Sequence, residues 1–159
     1  MRHAVLAAGL IIALASQASA FSLTGSWDCG PVRGPSFDIN GQLSYKANGK
    51  LRHTISATGE RDGDDLEVTI RIWGTWSIAG TALDENITRH TLRAVRINGR
   101  RINAGPEWDE LAAGLARSFD SGQEDDDPVK IRPTSDASFD YIDDPMVLPC
   151  VRTGTTPTS

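Results

Sequence analysis

The chain has 159 residues, 39% hydrophobic and 23% charged, with 16 basic and 21 acidic side chains and a formal net charge of −5. That length suits one domain with its own core. The acidic balance argues against a dedicated nucleic-acid binder, which carries a basic excess.

Residues 1–20 read as a cleavable signal peptide. Met1-Arg2-His3 is a basic start, Ala4 to Ala15 is an apolar run, and Ala18-Ser19-Ala20 is an A-x-A cleavage site. The run is shorter than the roughly 20 residues that cross a bilayer; the alternative reading is an uncleaved anchor. No later stretch is apolar and long enough to span. The working protein is expected to begin near Phe21 and to reside in the periplasm or outside the cell. Loss of Arg2 leaves 15 basic against 21 acidic residues, a net of −6. The expected organisation is a signal over 1–20, a single β-rich domain over 21–152 and a disordered tail over 153–159.

Two cysteines, Cys29 and Cys150, are the whole complement. In an exported chain an even pair reads as a disulfide, the alternative being two buried thiols. A bridge would make the first and last strands neighbours or set them face to face across a core.

The first strand, Leu23 to Cys29, places Leu23, Trp27 and Cys29 on one face. Phe37, Ile39, Leu43 and Tyr45 share one phase, and Leu51, His53, Ile55 and Ala57 share another. A three-residue loop, Ala47-Asn48-Gly49, pairs Tyr45 with Leu51 and Leu43 with His53, so both apolar sets meet on one face. Leu66, Val68, Ile70, Ile72, Trp76 and Ile78 alternate with polar residues, and Gly74 fills the gap. Thirteen residues extended would reach about 43 Å, a length that suits a bent strand in a coiled sheet or barrel. A turn at Gly80-Thr81 brings Ile78 to Leu83. The next strand, Leu83 to Ile97, slips phase near Thr91-Leu92, which predicts a bulge. Trp108, Leu111, Ala112, Leu115 and Phe119 recur at helical spacing behind Pro106, with Gly122 as a stop. Short strands are expected over 129–132, 137–142 and 146–151. The predicted fold class is mainly β: an antiparallel barrel or strongly coiled sheet of about eight strands with one amphipathic helix.

Catalytic and metal signatures are absent from the spacing: there is no H-E-x-x-H, C-x-x-C or G-x-S-x-G. Asp62-Gly63-Asp64-Asp65 lacks the spacing of a calcium loop and reads as an acidic turn. His53 lies on an apolar strand face, where a histidine is either a site residue or a core residue with a local hydrogen-bond partner. An enzyme would need His53 or His90 to meet two carboxylates in a cleft. From Asn86 to Gly105 there are five arginines and no acid, and from Pro106 to Asp127 eight acids and one arginine. This asymmetry marks a site for an anionic partner, two segments that face each other, or a charged strand edge.

Gly25-Ser26-Trp27 resembles the G-x-W of lipocalin-like (calycin-type) barrels, and a β-meander with one helix and a Cys-bearing last strand is similar to such folds. Gly74-Thr75-Trp76-Ser77-Ile78-Ala79-Gly80-Thr81-Ala82-Leu83 resembles a G-x-W-x-I-x-G-x-x-L hairpin of small exported bacterial proteins. Thr58-Gly59-Glu60-Arg61-Asp62-Gly63 is similar to a loop of periplasmic lysozyme inhibitors but lacks its tyrosine. These resemblances imply an exported β-protein and carry no catalytic residues.

The expected function is a non-enzymatic binding module of the periplasm or cell envelope. A small, partly apolar ligand would sit inside the sheet against Trp27, Tyr45, His53, Ile72 and Trp76, with no cofactor and no metal. The alternative is a protein-interaction or inhibitor module with no internal ligand, which would meet an envelope protein through loops such as 60–65 and 123–128.

Overall fold

A computed structural model describes residues 21–33, 37–122 and 128–154 of the chain, with the side chains of 118–122 also left out. The signal-peptide segment, residues 155–159 of the expected tail and loop residues 123–127 lie outside the described residues.

Nine strands and one helix follow in order: β1 (Gly25–Arg33), β2 (Phe37–Tyr45), β3 (Lys50–Arg61), β4 (Asp64–Ala79), β5 (Ala82–Ile97), β6 (Arg100–Ile102), α1 (Pro106–Gly122), β7 (Val129–Ser135), β8 (Ser138–Asp143) and β9 (Met146–Arg152). Every pairing is antiparallel. Eight strands form a ring, β1-β2-β3-β4-β5-β7-β8-β9 and back to β1. The ring is barrel-like, as the long one-sided strands require.

The hairpin registers follow from side-chain phase. Tyr45 pairs with Leu51 and Leu43 with His53, and Ile78 pairs with Leu83. A slip of one residue in either hairpin would turn an apolar set toward water. β5 bulges against β4 where the partners jump from Leu92 to Ala94, close to the expected phase slip, and again between Ile87 and Arg89. Gly74 sits at this second irregularity, where a Cβ would run into the carbonyl oxygen of Asn86.

Two features depart from the sequence expectation. β1 continues past Cys29 to Arg33, through an irregularity between Cys29 and Val32. A ninth strand, β6, lies outside the ring, folded back on β5 by a turn at Asn98-Gly99 with φ of 51° and 75°. Its charged Arg100-Arg101 pair hides the alternation, although Asn-Gly between β-branched segments is a hairpin signal.

The ring interior holds the main core, in which Trp27, Tyr45, Leu83, Ile131, Phe139 and Cys150 are essentially inaccessible. A second cluster, Leu66, Val95 and Ile102, is covered by Trp108 and Leu111 of α1. The helix therefore caps one end of the ring with its apolar stripe. Cys29 and Cys150 are register partners on β1 and β9 and are disulfide-bonded, closing a sequence separation of 121 residues. No described helix is long and apolar enough to cross a membrane.

Candidate functional site

Among the described residues the interior carries one polar cluster, centred on Glu85 of β5. Glu85 lies two residues from Leu83 and two from Ile87, so strand alternation turns all three toward the inside. Glu85 Oε1 accepts a hydrogen bond from the Tyr45 hydroxyl at 2.6 Å and faces His53 Nε2 at 3.1 Å; Oε2 accepts from the Tyr141 hydroxyl at 3.1 Å. Tyr45 and His53 come from β2 and β3, where two residues of register offset place both on the inner face. Their rings meet edge-on, with centroids 5.2 Å apart. Tyr141 comes from β8 across the ring.

Burial alone would push the Glu85 carboxyl up, since a charge is costly to desolvate. The hydrogen bonds from His53, Tyr45 and Tyr141, with the nearby His53 charge, outweigh this and hold it below its ordinary value. Glu85 is thus a carboxylate at neutral pH. The Tyr45 hydroxyl is raised well above its ordinary value by burial first, and then by the negative charge and hydrogen bond of Glu85. With Glu85 ionised, His53 Nε2 carries the proton that it donates to Oε1. His53 Nδ1 is buried and has no hydrogen-bond partner among the described residues. That atom is an acceptor in the neutral ring and a donor in the charged one.

Beside the cluster lies a cavity of about 340 Å³. Its walls are mostly apolar, including Leu43, Ile55, Ile72, Leu83 and Leu148, with His53, Glu85 and Tyr141 as polar lining. Asn40, Asp84, Pro128 and Asp143 line it as well and are exposed, which marks the mouth. Glu85 puts a carboxylate into this cavity, the exposed Asp84 and Asp143 stand at its mouth, and among the described residues no lysine or arginine lines it. His53 therefore shares a cleft with Glu85, Asp84 and Asp143, but only Glu85 touches it. A second groove of about 500 Å³ beside α1 joins Leu111 and Leu115 to Leu66 and Val68. Among the described residues no cluster of histidine, cysteine and carboxylate side chains is arranged to hold a metal.

The five residues expected to line a ligand site divide into groups. His53 and Ile72 line the cavity. Tyr45 stands behind it and reaches it through Glu85. Trp76 packs edge-on against Tyr45 at 5.3 Å and donates its indole N–H to the Lys46 carbonyl, away from the cavity. Trp27 is fully buried among Phe21 and Phe139, with the Phe139 ring 4.8 Å away and edge-on. Its indole N–H is held by the Leu23 carbonyl at 2.8 Å.

Trp27 belongs to a clasp between β1 and β9. The Arg152 guanidinium lies 4.2 Å from the centre of the indole ring and donates to the carbonyls of Thr24 and Ser22. Gly25, at φ 142°, leaves the space through which this guanidinium passes; a Cβ there would meet Arg152 Nη1. Gly25 and Trp27 of the G-x-W motif thus hold β1 to β9. No family model matches the chain, and no curated protein matches it. The geometry of the cavity is what speaks for its use.

Glu85 itself was not singled out from the sequence. It follows Asp84 in a polar stretch, and acids in such stretches usually face water. The available signal was phase: Leu83, Glu85 and Ile87 share one face.

Proposed function

We propose that this protein binds a small, partly apolar molecule inside the barrel-like sheet, with the ligand's polar end at the Glu85–His53–Tyr141 group. The observation that carries this reading is an apolar-walled cavity beside a largely buried, ionised carboxylate and a histidine nitrogen without a partner among the described residues. A volume of about 340 Å³ lies at the low end of small-molecule pockets, which run from roughly 300 Å³ upward. A packed core would have no reason to keep both the space and an unsatisfied His53 Nδ1, since an orphaned buried polar atom costs about 1–3 kcal/mol. The charge of the lining selects the ligand class. The Glu85 carboxylate inside, two acids at the mouth and no lysine or arginine among the described lining residues disfavour fatty acids and other carboxylates; they favour a ligand with an amine or other hydrogen-bond donor. The exported setting implied by the lipocalin-like resemblance, and by the disulfide, fits a carrier or sensor of such a molecule in the cell envelope.

The contact of His53 with the Glu85 carboxylate supports a second reading, acid–base chemistry on a bound substrate. Against it, Glu85 already accepts three hydrogen bonds, which spends most of its acceptor capacity on holding its own neighbours.

Titration of the full chain with phenylalkylamines and the matching phenylalkanoic acids, followed by calorimetry, tests the proposal. The amines should bind and the acids should not. Glu85→Gln should weaken amine binding by about tenfold, and a cavity-filling Ile55→Phe, which leaves Glu85 in place, should abolish it. No binding of either class, or tighter binding of the acids, would overturn the reading. Recovery of a chemically altered amine would move it to the enzymatic one.

A further inference from the structure

The outer face of β3, β4 and β5 carries a cluster that the cavity does not use. Arg52 and Arg89 are the register partners of Trp73 on either side, and Arg71 lies two residues along the same strand. The Arg89 guanidinium sits 3.9 Å from the centre of the Trp73 ring and that of Arg71 sits 5.9 Å away. Arg93 falls in the β5 bulge next to Thr91, the partner of Arg71. Three other outer arginines are matched with acids, Arg96 with Glu67, Arg61 with Glu110 and Arg132 with Asp140, each at 2.7 Å, whereas Arg33, Arg100 and Arg101 have no acid partner among the described residues and are not gathered around an aromatic ring. Arg52, Arg71, Arg89 and Arg93 make no ion pair among the described residues, in a chain whose net charge is −5.

Three physical facts make this more than a solvated edge. First, Arg71 Nε is buried with no hydrogen-bond acceptor among the described residues, and so is the hydroxyl of Thr91 opposite it. Second, Arg71 is lowered from its ordinary pKa, by desolvation first and then by the like charges of Arg52 and Arg93. The group is therefore electrostatically uncompensated, and an anion would relieve it. Third, the Arg89 guanidinium lies against the Trp73 ring at 3.9 Å from its centre, a contact that reduces the entropy lost when it grips a ligand.

We propose that this face is a binding site for a ligand bearing phosphate groups, gripped by the forks of Arg52, Arg71, Arg89 and Arg93 around Trp73. Guanidinium forks match phosphate oxygens in paired hydrogen bonds, and arginine is the residue favoured for that geometry. The backbone positions span two strand spacings, about 10 Å, by about four residues, about 13 Å. That footprint suits a compact group with more than one phosphate charge rather than a long polymer. The phosphate could belong to a free small molecule or to a lipid headgroup, and the site is independent of the interior cavity.

The test uses the full chain with inorganic pyrophosphate in calorimetry, and flotation with phosphatidylglycerol vesicles against phosphatidylcholine vesicles. Saturable binding to pyrophosphate assigns a free ligand; binding to phosphatidylglycerol vesicles without pyrophosphate binding assigns a headgroup. In either case, Arg71→Gln with Arg89→Gln should lower affinity by about tenfold or more. The exposed pair Arg52→Gln with Arg93→Gln, which disturbs no stacking, should do the same if the first pair misfolds. Arg132→Gln, which removes an equal type of charge elsewhere, should leave binding unchanged. The proposal falls if neither pyrophosphate nor anionic vesicles bind, if Arg132→Gln weakens binding as much as the site variants, or if only a short RNA binds.

Discussion

At the scale of single residues, Glu85 is the pivot of the interior. It is ionised in the folded protein because three donors converge on it, so its removal reaches three other side chains. Glu85→Gln keeps the size but cannot accept all three hydrogen bonds, and it leaves at least one buried group unpaired. Urea denaturation should show a loss of about 1–3 kcal/mol. The sign of the pH effect follows from the depressed carboxyl. Its folded-state value lies below the ordinary 4.5, so its contribution is complete above 4.5 and is lost as pH falls through the folded value. Acid denaturation should therefore be less steep in Glu85→Gln than in the parent. Tyr45 works in the other direction: its raised value means stability is present below its ordinary 10.0 and declines as pH rises beyond it. Tyr45→Phe should flatten the alkaline limb of the pH–stability curve and leave the limb below pH 9 nearly parallel to the parent's. Half of this cluster could be read from the sequence. His53 and Tyr45 sit in clear apolar phases, whereas Glu85 looks like surface, and Tyr141 looks like one aromatic in a short strand. What joins them is ring closure, which brings β8 opposite β3, and no local pattern encodes that.

At the scale of elements, strand alternation carried most of the information. β2, β3 and β4 each bury one face against the core, so phase alone sets their registers, down to Leu43 opposite His53. β6 escaped because three residues with two arginines offer no phase to read. The turn at Gly80-Thr81 and the bulges on β5 were legible for a different reason: each is where the alternation of one strand fails to match its neighbour. Gly74 shows how tightly such a break is specified. Its Cβ position is taken by the Asn86 carbonyl, so Gly74→Ala must push β4 away from β5 or shift the bulge. A loss of about 1–3 kcal/mol is expected, as for other overpacked sites, and thermal unfolding would measure it. Gly63→Ala is the contrasting case: nothing lies near its Cβ position, so its expected cost of about 1 kcal/mol comes from its positive φ alone, whereas Gly74 has no positive φ and its cost comes from the clash.

At the scale of the whole molecule, the ring has one strong closure and one weak one. The weak one is the seam between β5 and β7, where only Ala82↔Lys130 and Leu83↔Val129 pair, with a further bond from the Ile131 amide to the Thr81 carbonyl. Residues on both sides of that seam, Leu83 and Val129, line the cavity. The strong closure is between β1 and β9, where the Cys29–Cys150 bridge and the Arg152–Trp27 clasp act together. The bridge was legible as two cysteines in an exported chain; the clasp was not, because Arg152 and Trp27 are 125 positions apart in the numbering. For a loop this long the chain-entropy model gives about 5 kcal/mol. Replacing both cysteines by alanine should therefore lower stability by up to that amount. The clasp still ties β1 to β9 in such a variant, so the ring should close but open more often. Hydrogen exchange would separate the two closures. In the oxidised protein, amides at the β5–β7 seam should exchange fastest among paired strand residues, and those of β3–β4 slowest. Without the bridge, protection at Trp27, Asp28 and Val151 should fall toward the level of the seam. If instead the β1–β9 amides keep their protection, the Arg152–Trp27 contact is holding the ends without the disulfide, and Arg152→Gln in the cysteine-free protein should then release them.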